Sequence, residues 1–435
     1  RLALVGGLLD EGIVEARAAA EAGLLAPRFI VQRTIEQLDG FLKNTPPENV
    51  FTTELDTRLG LLGAAIPAED RARLVRAAEK IVSDSVIPAY GRVRALQAEQ
   101  LPRTNDDAGV WRVPRGAERY RQALASNTTT NLGVDEIHAI GLREVARLEA
   151  EMDKILRGMG FVEGSLLTRF KAAEAATEPR TDSDPRPAIL ARTEAWVREA
   201  ERRAGSLFDV LPKAPIVVKR EPAFSEKTAA AHYADPAPDG SRPGIYWLPL
   251  PGSPFADLGA RSTAYHEAVP GHHFQLALQQ EMQDLPRFRR LLIFGFNSAY
   301  VEGWALYAER LADEEGWYAG DPQRRLGYLD SMLFRSRRLV VDTGLHAKKW
   351  TRQQAIDYGI EAREVERYVV WPGQACSYMI GQLRIVELRE KAKATLGPKF
   401  SIQQFHRVVL GAGTVPLDVL GGLVDEWIAV RKAQP

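Results

Sequence analysis

Residues 134–161, VDEIHAIGLREVARLEAEMDKILRGMGF, carry apolar side chains at Ile137, Ile140, Val145, Leu148, Met152 and Ile155 with charged residues between them. Steps of three to five residues gather these side chains on one face of a helix, whereas a strand would scatter them over both faces. The segment therefore reads as one long amphipathic helix. A stripe that long needs a large apolar surface to cover it, and similar patterning runs from the start of the chain to about Ala204. The fold class expected is mostly α. Upstream, ASNTTTN supplies Asn and Thr caps, and LPRTNDDAGVWRVPRG is rich in helix breakers and reads as a loop. EPRTDSDPRP, Glu178 to Pro187, is the best candidate for a hinge or surface linker.

The character changes between Pro212 and Pro254. PIVVKR, AAAHY and GIYWLPL are short β-branched or aromatic runs divided by turn-forming EPAFSEK and ADPAPDGSRPG, and they predict a small antiparallel sheet. Beyond Pro254 the helical pattern returns: Leu258 to about Met282, Asn297 to about Asp313, Arg324 to about Lys349, Thr351 to about Val370 and Gly373 to about Ala394, then two shorter helices. The chain thus divides into an N-terminal helical region, 1–211, and a region 212–435 holding the sheet and the chemically distinctive residues.

Composition narrows the function classes. Lys plus Arg and Asp plus Glu both total 57 of 435 residues, so no net field draws the chain to nucleic acid or an anionic surface. The single cysteine, Cys376, rules out an internal disulfide and any multi-cysteine metal site. A metal here must use nitrogen and oxygen. No apolar run approaches the roughly 20 residues that span a bilayer, so no transmembrane segment is expected.

AYHEAVPGHHFQ, Ala264 to Gln275, concentrates three of the seven histidines into eight positions. Two imidazoles share an ion when they lie four residues apart on a helix, as in His-Glu-x-x-His, but here the fifth position is Pro270. In a regular helix His272 would stand roughly 9 Å along the axis from His266 and about 120° around it, out of reach of one ion. Pro270 removes a backbone donor and Gly271 tolerates unusual dihedrals, so the pair is expected to widen the turn and return His272 to the side of His266. His273 is the rival ligand, two full turns on at about 10.5 Å. Glu302 in YVEGWALYAERL, an acid inside an apolar helical segment, is the natural third ligand. Two histidines and a glutamate leave a fourth position for water, which adjacent Glu267 could deprotonate. The competing reading has Glu302 as a partly buried acid paired with Arg335 or Arg338.

HEAVPGHHFQ, followed by EGWALYAERL, VVDTGLH and WPGQACSYMIG, resembles the bacterial family called domain of unknown function 885, which is itself similar to the helical glutamate-zinc peptidases of the thimet oligopeptidase, angiotensin-converting enzyme and carboxypeptidase Taq groups. The resemblance implies a helical body with a deep cleft and a small sheet beside the zinc helices, with regions 1–211 and 212–435 forming one cleft. It also implies one zinc per chain held by His266, His272 and Glu302, with Glu267 as the base and a short peptide as substrate. The implied location is extracytoplasmic, periplasmic or as a lipoprotein. In such enzymes a later histidine and tyrosine stabilise the oxyanion, positions matched in order by His346, oriented through Asp342, and Tyr378. An edge strand before the zinc helix would present Tyr246 and Trp247 to substrate, and Gln374 and Arg384 would meet a peptide carbonyl and a terminal carboxylate. The chain departs from these peptidases in the two extra residues between its histidines. Two alternatives to a peptidase are a zinc amidase or esterase acting on a non-peptide substrate, and a zinc- or peptide-binding protein without catalysis.

Overall fold

A computed structural model describes every residue of the chain except 180, 182, 223, 224, 294 and 435. Parts of the Glu178–Pro187 linker and of the EPAFSEK turn therefore lie outside the described residues. The protein is mostly helical, with one three-stranded sheet. By compactness it divides into two units, Arg1–Ala117 with Leu345–Gln354, and Glu118–Gly344 with Ala355–Pro435. Position 211, where the sequence changes character, falls inside the second unit and marks the entry to the sheet.

In the first unit, helices Val5–Glu21, Arg28–Leu42 and Val50–Leu61 precede a rod made of Ala68–Ile81, a π turn at Val82–Val86, and Ile87–Gln100. Ion pairs Arg17–Glu99 and Arg92–Asp10 tie the first helix to the rod. The returning segment is held by its backbone, with the Trp111 indole donating to the Leu345 carbonyl at 3.1 Å.

The second unit contains the long helix α1, Val134–Gly158. Its buried residues are Ile137, Gly141, Val145, Leu148, Met152 and Leu156. Ile140 and Ile155, expected in the stripe, are only half-buried, so its centre runs one residue further along. Gly141 explains the shift: a Cβ there would lie 2.7 Å from a Val340 methyl, so the bare backbone admits the helix Pro322–His346.

The sheet has strands β1 (Ile216–Arg220), β2 (His232–Ala234) and β3 (Gly244–Leu248) in the order β1-β3-β2. β2 pairs with β3 antiparallel, but β1 and β3 are parallel, so the sheet is mixed rather than antiparallel. The connection from Glu221 to Ala231 is too long for a tight hairpin, and β3 inserts between the two earlier strands. β3 is therefore the central strand and β2 an edge.

After the sheet come α2 (Ala260–Glu267), α3 (His272–Glu281), α4 (Ser298–Glu314), α5 (Pro322–His346), Arg352–Asp357, Ala362–Val370 and α6 (Gln374–Leu396). The segment expected as one helix from Thr351 to Val370 is thus two. α4 and α6 cross at Gly303 and Gly381; a Cβ on Gly303 would lie 2.5 Å from the Gly381 Cα, and one on Gly381 would overlap the Ala299 carbonyl. Only glycine permits this approach. Trp304, Tyr300 and Tyr307 of α4 are fully buried around the crossing.

Candidate metal centre

His266 and Glu267 are the last two residues of α2, and both are buried. The helix then breaks. Ala268 leaves helical geometry, Val269–Pro270 is a cis peptide, and Gly271, at φ −80° and ψ −128°, is neither helical nor extended before α3 starts at His272. The expected single helix with a widened turn is therefore two helices with a four-residue break. Two extra residues are more than one stretched turn absorbs here, and the chain restarts the helix with a new axis. Gly271 packs against the end of α2, where any Cβ would overlap the His266 and Tyr265 carbonyls. The Trp304 indole donates to the Pro270 carbonyl at 2.8 Å and fixes the break onto α4.

The result gathers His266, His272 and Glu302. Their ligand atoms all lie within 4.8 Å of one another. Nε2 of His266 and Nε2 of His272 each stand 3.5 Å from Oε2 of Glu302, and the two rings meet nearly edge to face. For bonds of about 2.1 Å to a tetrahedral ion, neighbouring ligand atoms stand about 3.4 Å apart. Glu302 Oε2 is buried without a hydrogen-bond partner, and so is His272 Nδ1. A buried carboxylate oxygen left unpaired between two imidazole nitrogens fits a cation among them. Among the described residues Glu302 has no ion pair with Arg335 or Arg338; Arg338 pairs instead with Glu364 at 2.9 Å.

Glu309, seven residues beyond Glu302 and on the same face of α4, supports the cluster. Its Oε1 lies 2.8 Å from His266 Nδ1, and its Oε2 accepts from the Ser262 and Ser331 hydroxyls. Nδ1 therefore carries the proton toward Glu309, and Nε2 faces the cluster. Burial alone would pull the His266 pKa down, yet Glu302 and Glu309 raise it to about 10. Burial likewise opposes charge on Glu302, but the two histidines hold its pKa well below the ordinary value. Glu267 is pushed the other way, upward, chiefly by burial.

The cluster opens on a cavity of about 440 Å³ whose wall includes Tyr233 and Asp235 from the sheet side, Glu267, Arg335, Arg338 and Tyr378. Residues 1–424 match the family described as "Bacterial protein of unknown function (DUF885)". The chain belongs to the DUF885 family. This DUF885 chain is 36% identical to the "putative lipoprotein" from Colwellia psychrerythraea, whose crystal structure superposes with a TM-score of 0.94 over 99% of this chain and 75% of that one. A "putative lipoprotein of unknown function" from Shewanella oneidensis shares the fold at a TM-score of 0.67, with 21% identity over 95% of this chain and 76% of that one. No curated protein matches the sequence.

His273 points its Nδ1 to the Tyr233 hydroxyl at 2.9 Å, and burial lowers its pKa to about 4; it belongs to the sheet packing, not the cluster. Tyr246 lies on the central strand and is fully buried, so with Trp247 it presents no free edge to a substrate. β2 holds the edge, and its His232 and Tyr233 line the cavity. Tyr378 is on the cavity wall, 4.5 Å beneath the Arg338 guanidinium. Gln374 accepts from Arg367 at 2.6 Å and donates to Ser298, and it does not line the cavity. Arg384 pairs with Glu387 and rests against Gly421, also away from the cavity. His346 lies in the first unit, where its Nδ1 accepts from the Val110 N–H at 3.0 Å. Asp342 does not orient it; that carboxylate takes the Tyr120 hydroxyl at 2.6 Å and the Gly373 N–H.

Sequence reasoning assigned no role to Glu309, although its spacing of seven from Glu302 is a two-turn signal on one helix face. Arg335 and Arg338 entered only as partners for Glu302. Their placement depends on how α5 packs, which no local pattern encodes.

Proposed function

We propose that this protein is a zinc-dependent peptidase acting on short peptides, related in mechanism to the helical glutamate-zinc peptidases. The observation that carries the reading is the unpaired, buried Glu302 Oε2 at 3.5 Å from both imidazoles, beside a second buried carboxylate on the same cavity. His266, His272 and Glu302 would hold the ion, a ligand set that suits zinc and leaves a position open. When bound, the ion supplies Lewis acidity to the reacting carbonyl and lowers the pKa of water. Glu267, whose basicity burial raises, takes the proton of the attacking water and passes it to the leaving amine. Tyr378, on the lining of the same cavity, would donate its hydroxyl to the developing oxyanion. β2, with its outer edge unpaired among the described residues, offers N–H and C=O groups to an extended substrate backbone.

No helix among the described residues is long and apolar enough to cross a membrane. Likeness to the Colwellia protein supports an extracytoplasmic location.

Two measurements test the reading together. Elemental analysis of the purified protein should find about one zinc per chain, lost in Glu302→Ala. With zinc restored, hydrolysis of a mixed peptide pool should fall roughly a hundredfold or more in Glu267→Gln while zinc content is unchanged. Equal turnover in that variant, or a parent that holds zinc and cleaves no peptide, defeats the proposal.

A further inference from the structure

The cavity wall carries two arginines whose donors are not used up. Arg335 and Arg338 stand three residues apart on one face of α5, and both line the space beside Glu267 and Glu302. Arg335 donates from Nη1 to the Ser331 hydroxyl at 2.7 Å and to the Ser331 carbonyl. No carboxylate among the described residues pairs with it, and its Nε is buried without a partner. Arg338 is 7% exposed and stacked between Phe334 and Tyr378, with ring centres 4.4 Å and 4.5 Å from its guanidinium carbon. It donates from Nε to Tyr368 and from Nη2 to Glu364, but its Nη1 is buried with no partner. Glu364 must also serve Arg367. One carboxylate thus answers two guanidiniums, and Arg335, which acts on Glu309 and Asp330 only from a distance, has no carboxylate in contact among the described residues.

A buried donor left unmade and a cation left unpaired both cost stability unless a ligand answers them. Guanidinium groups answer best to a carboxylate, through short charge-assisted bonds. Leu276, Leu292 and Phe296 add an apolar side to the same cavity. We infer that Arg335, with Arg338 behind it, binds a carboxylate of the substrate, so that the cavity selects acids over their neutral amides. The inference rests on the peptidase reading for its substrate class, a short peptide with an apolar residue beside the carboxylate. That carboxylate is either the chain terminus, which would make the enzyme an exopeptidase at the C-terminal end, or an acidic side chain.

The test uses benzoyl-glycyl-phenylalanine, its C-terminal amide, and benzoyl-glycyl-glutamate amide, titrated calorimetrically into chelator-treated protein so that no metal can hold the carboxylate. The free acid should bind about tenfold or more tightly than the phenylalanine amide. In Arg335→Met that ratio should collapse to within about twofold, while Arg335→Lys should keep part of it. Arg338→Lys preserves the charge at the buried position, and it should lower the ratio because the planar donor is lost. Tight binding of the glutamate amide instead of the free acid would assign the site to an acidic side chain and sustain the inference in that form. Equal binding of all three compounds, no measurable binding of either carboxylate, or a ratio unchanged in both Met and Lys variants at 335 overturns it. Arg335 also touches Glu309 through Ser331, but a ratio between two ligands of one protein is insensitive to a disturbed metal cluster. If the acid preference holds and zinc-loaded protein cleaves neither phenylalanine compound nor the peptide pool, the peptidase reading falls and the carboxylate site stands.

Discussion

Nδ1 of His266 lies 2.8 Å from Oε1 of Glu309, and Glu309 is the second of two carboxylates that α4 projects toward the same imidazole. One carboxylate meets Nε2 and the other Nδ1, so a single helix both completes the cluster and sets the tautomer of its first histidine. Glu309→Ala should accordingly weaken zinc binding roughly ten- to a hundredfold although no ligand is changed. Glu309→Gln, whose amide oxygen can still accept from Nδ1–H, should lose less. Competition against a chromophoric zinc chelator measures both, and affinities within about threefold of the parent would show that the bond does not tune the site.

Gly271→Ala should be costly for a different reason. The added methyl group would overlap two main-chain carbonyls at the end of α2, and neither can swing away like a side chain. A loss of about 3 kcal/mol or more in urea unfolding is expected, at the upper end for overpacking, together with weaker zinc binding as His272 moves. Gly40→Ala is the control. Gly40 sits in a helix with open space where its Cβ would be, so that change should be neutral or stabilise by up to about 1 kcal/mol. Equal effects of the two substitutions would remove the packing argument.

Asp342 gives a pH dependence independent of any metal. Burial pushes its pKa from 3.8 up to about 7, against the bonds from Tyr120 and the Gly373 N–H. Between those values the folded protein keeps a proton that the unfolded chain has released. Folding then takes up a proton, and stability falls as pH rises through this window. From pH 5 to pH 8 the loss from this one group is about 2–3 kcal/mol. Asp342→Asn has no such proton, so its stability at pH 8 relative to pH 5 should exceed the parent's by that amount in urea titrations. Parallel pH profiles for the two proteins would mean that Asp342 is ionised in the fold at both pH values.

What could be read from the sequence was whatever a helix period or a residue type carries by itself. The stripe from Ile137 to Met152 and the positions of α4 and α6 follow from spacing within one segment, and the candidacy of His266, His272 and Glu302 follows from residue type and immediate neighbours. What escaped depended on contacts between segments. The break at 268–271 is imposed by Gly271 lying on the end of α2 and by Trp304 reaching the Pro270 carbonyl. The parallel pairing of β1 and β3 requires knowing that β3 inserts between strands that precede it. Glu309 and the two arginines gain their surroundings only when α2, α4 and α5 come together. Asp342 showed the reverse error: its i, i+4 spacing to His346 suggested a bond along the helix, but the carboxylate turns to Tyr120 and Gly373 instead.

The crossing of α4 and α6 has a consequence for how the cluster tolerates change. Gly303 and Gly381 touch through main chain, so the separation of these helices is already at its floor: no replacement at either position can shorten it, and every replacement lengthens it. Glu302 precedes Gly303 by one residue and rides on that backbone. Its carboxylate therefore has a one-sided tolerance, in which sequence change at the crossing can only prise the helices apart and compensating errors have no opposite direction in which to cancel.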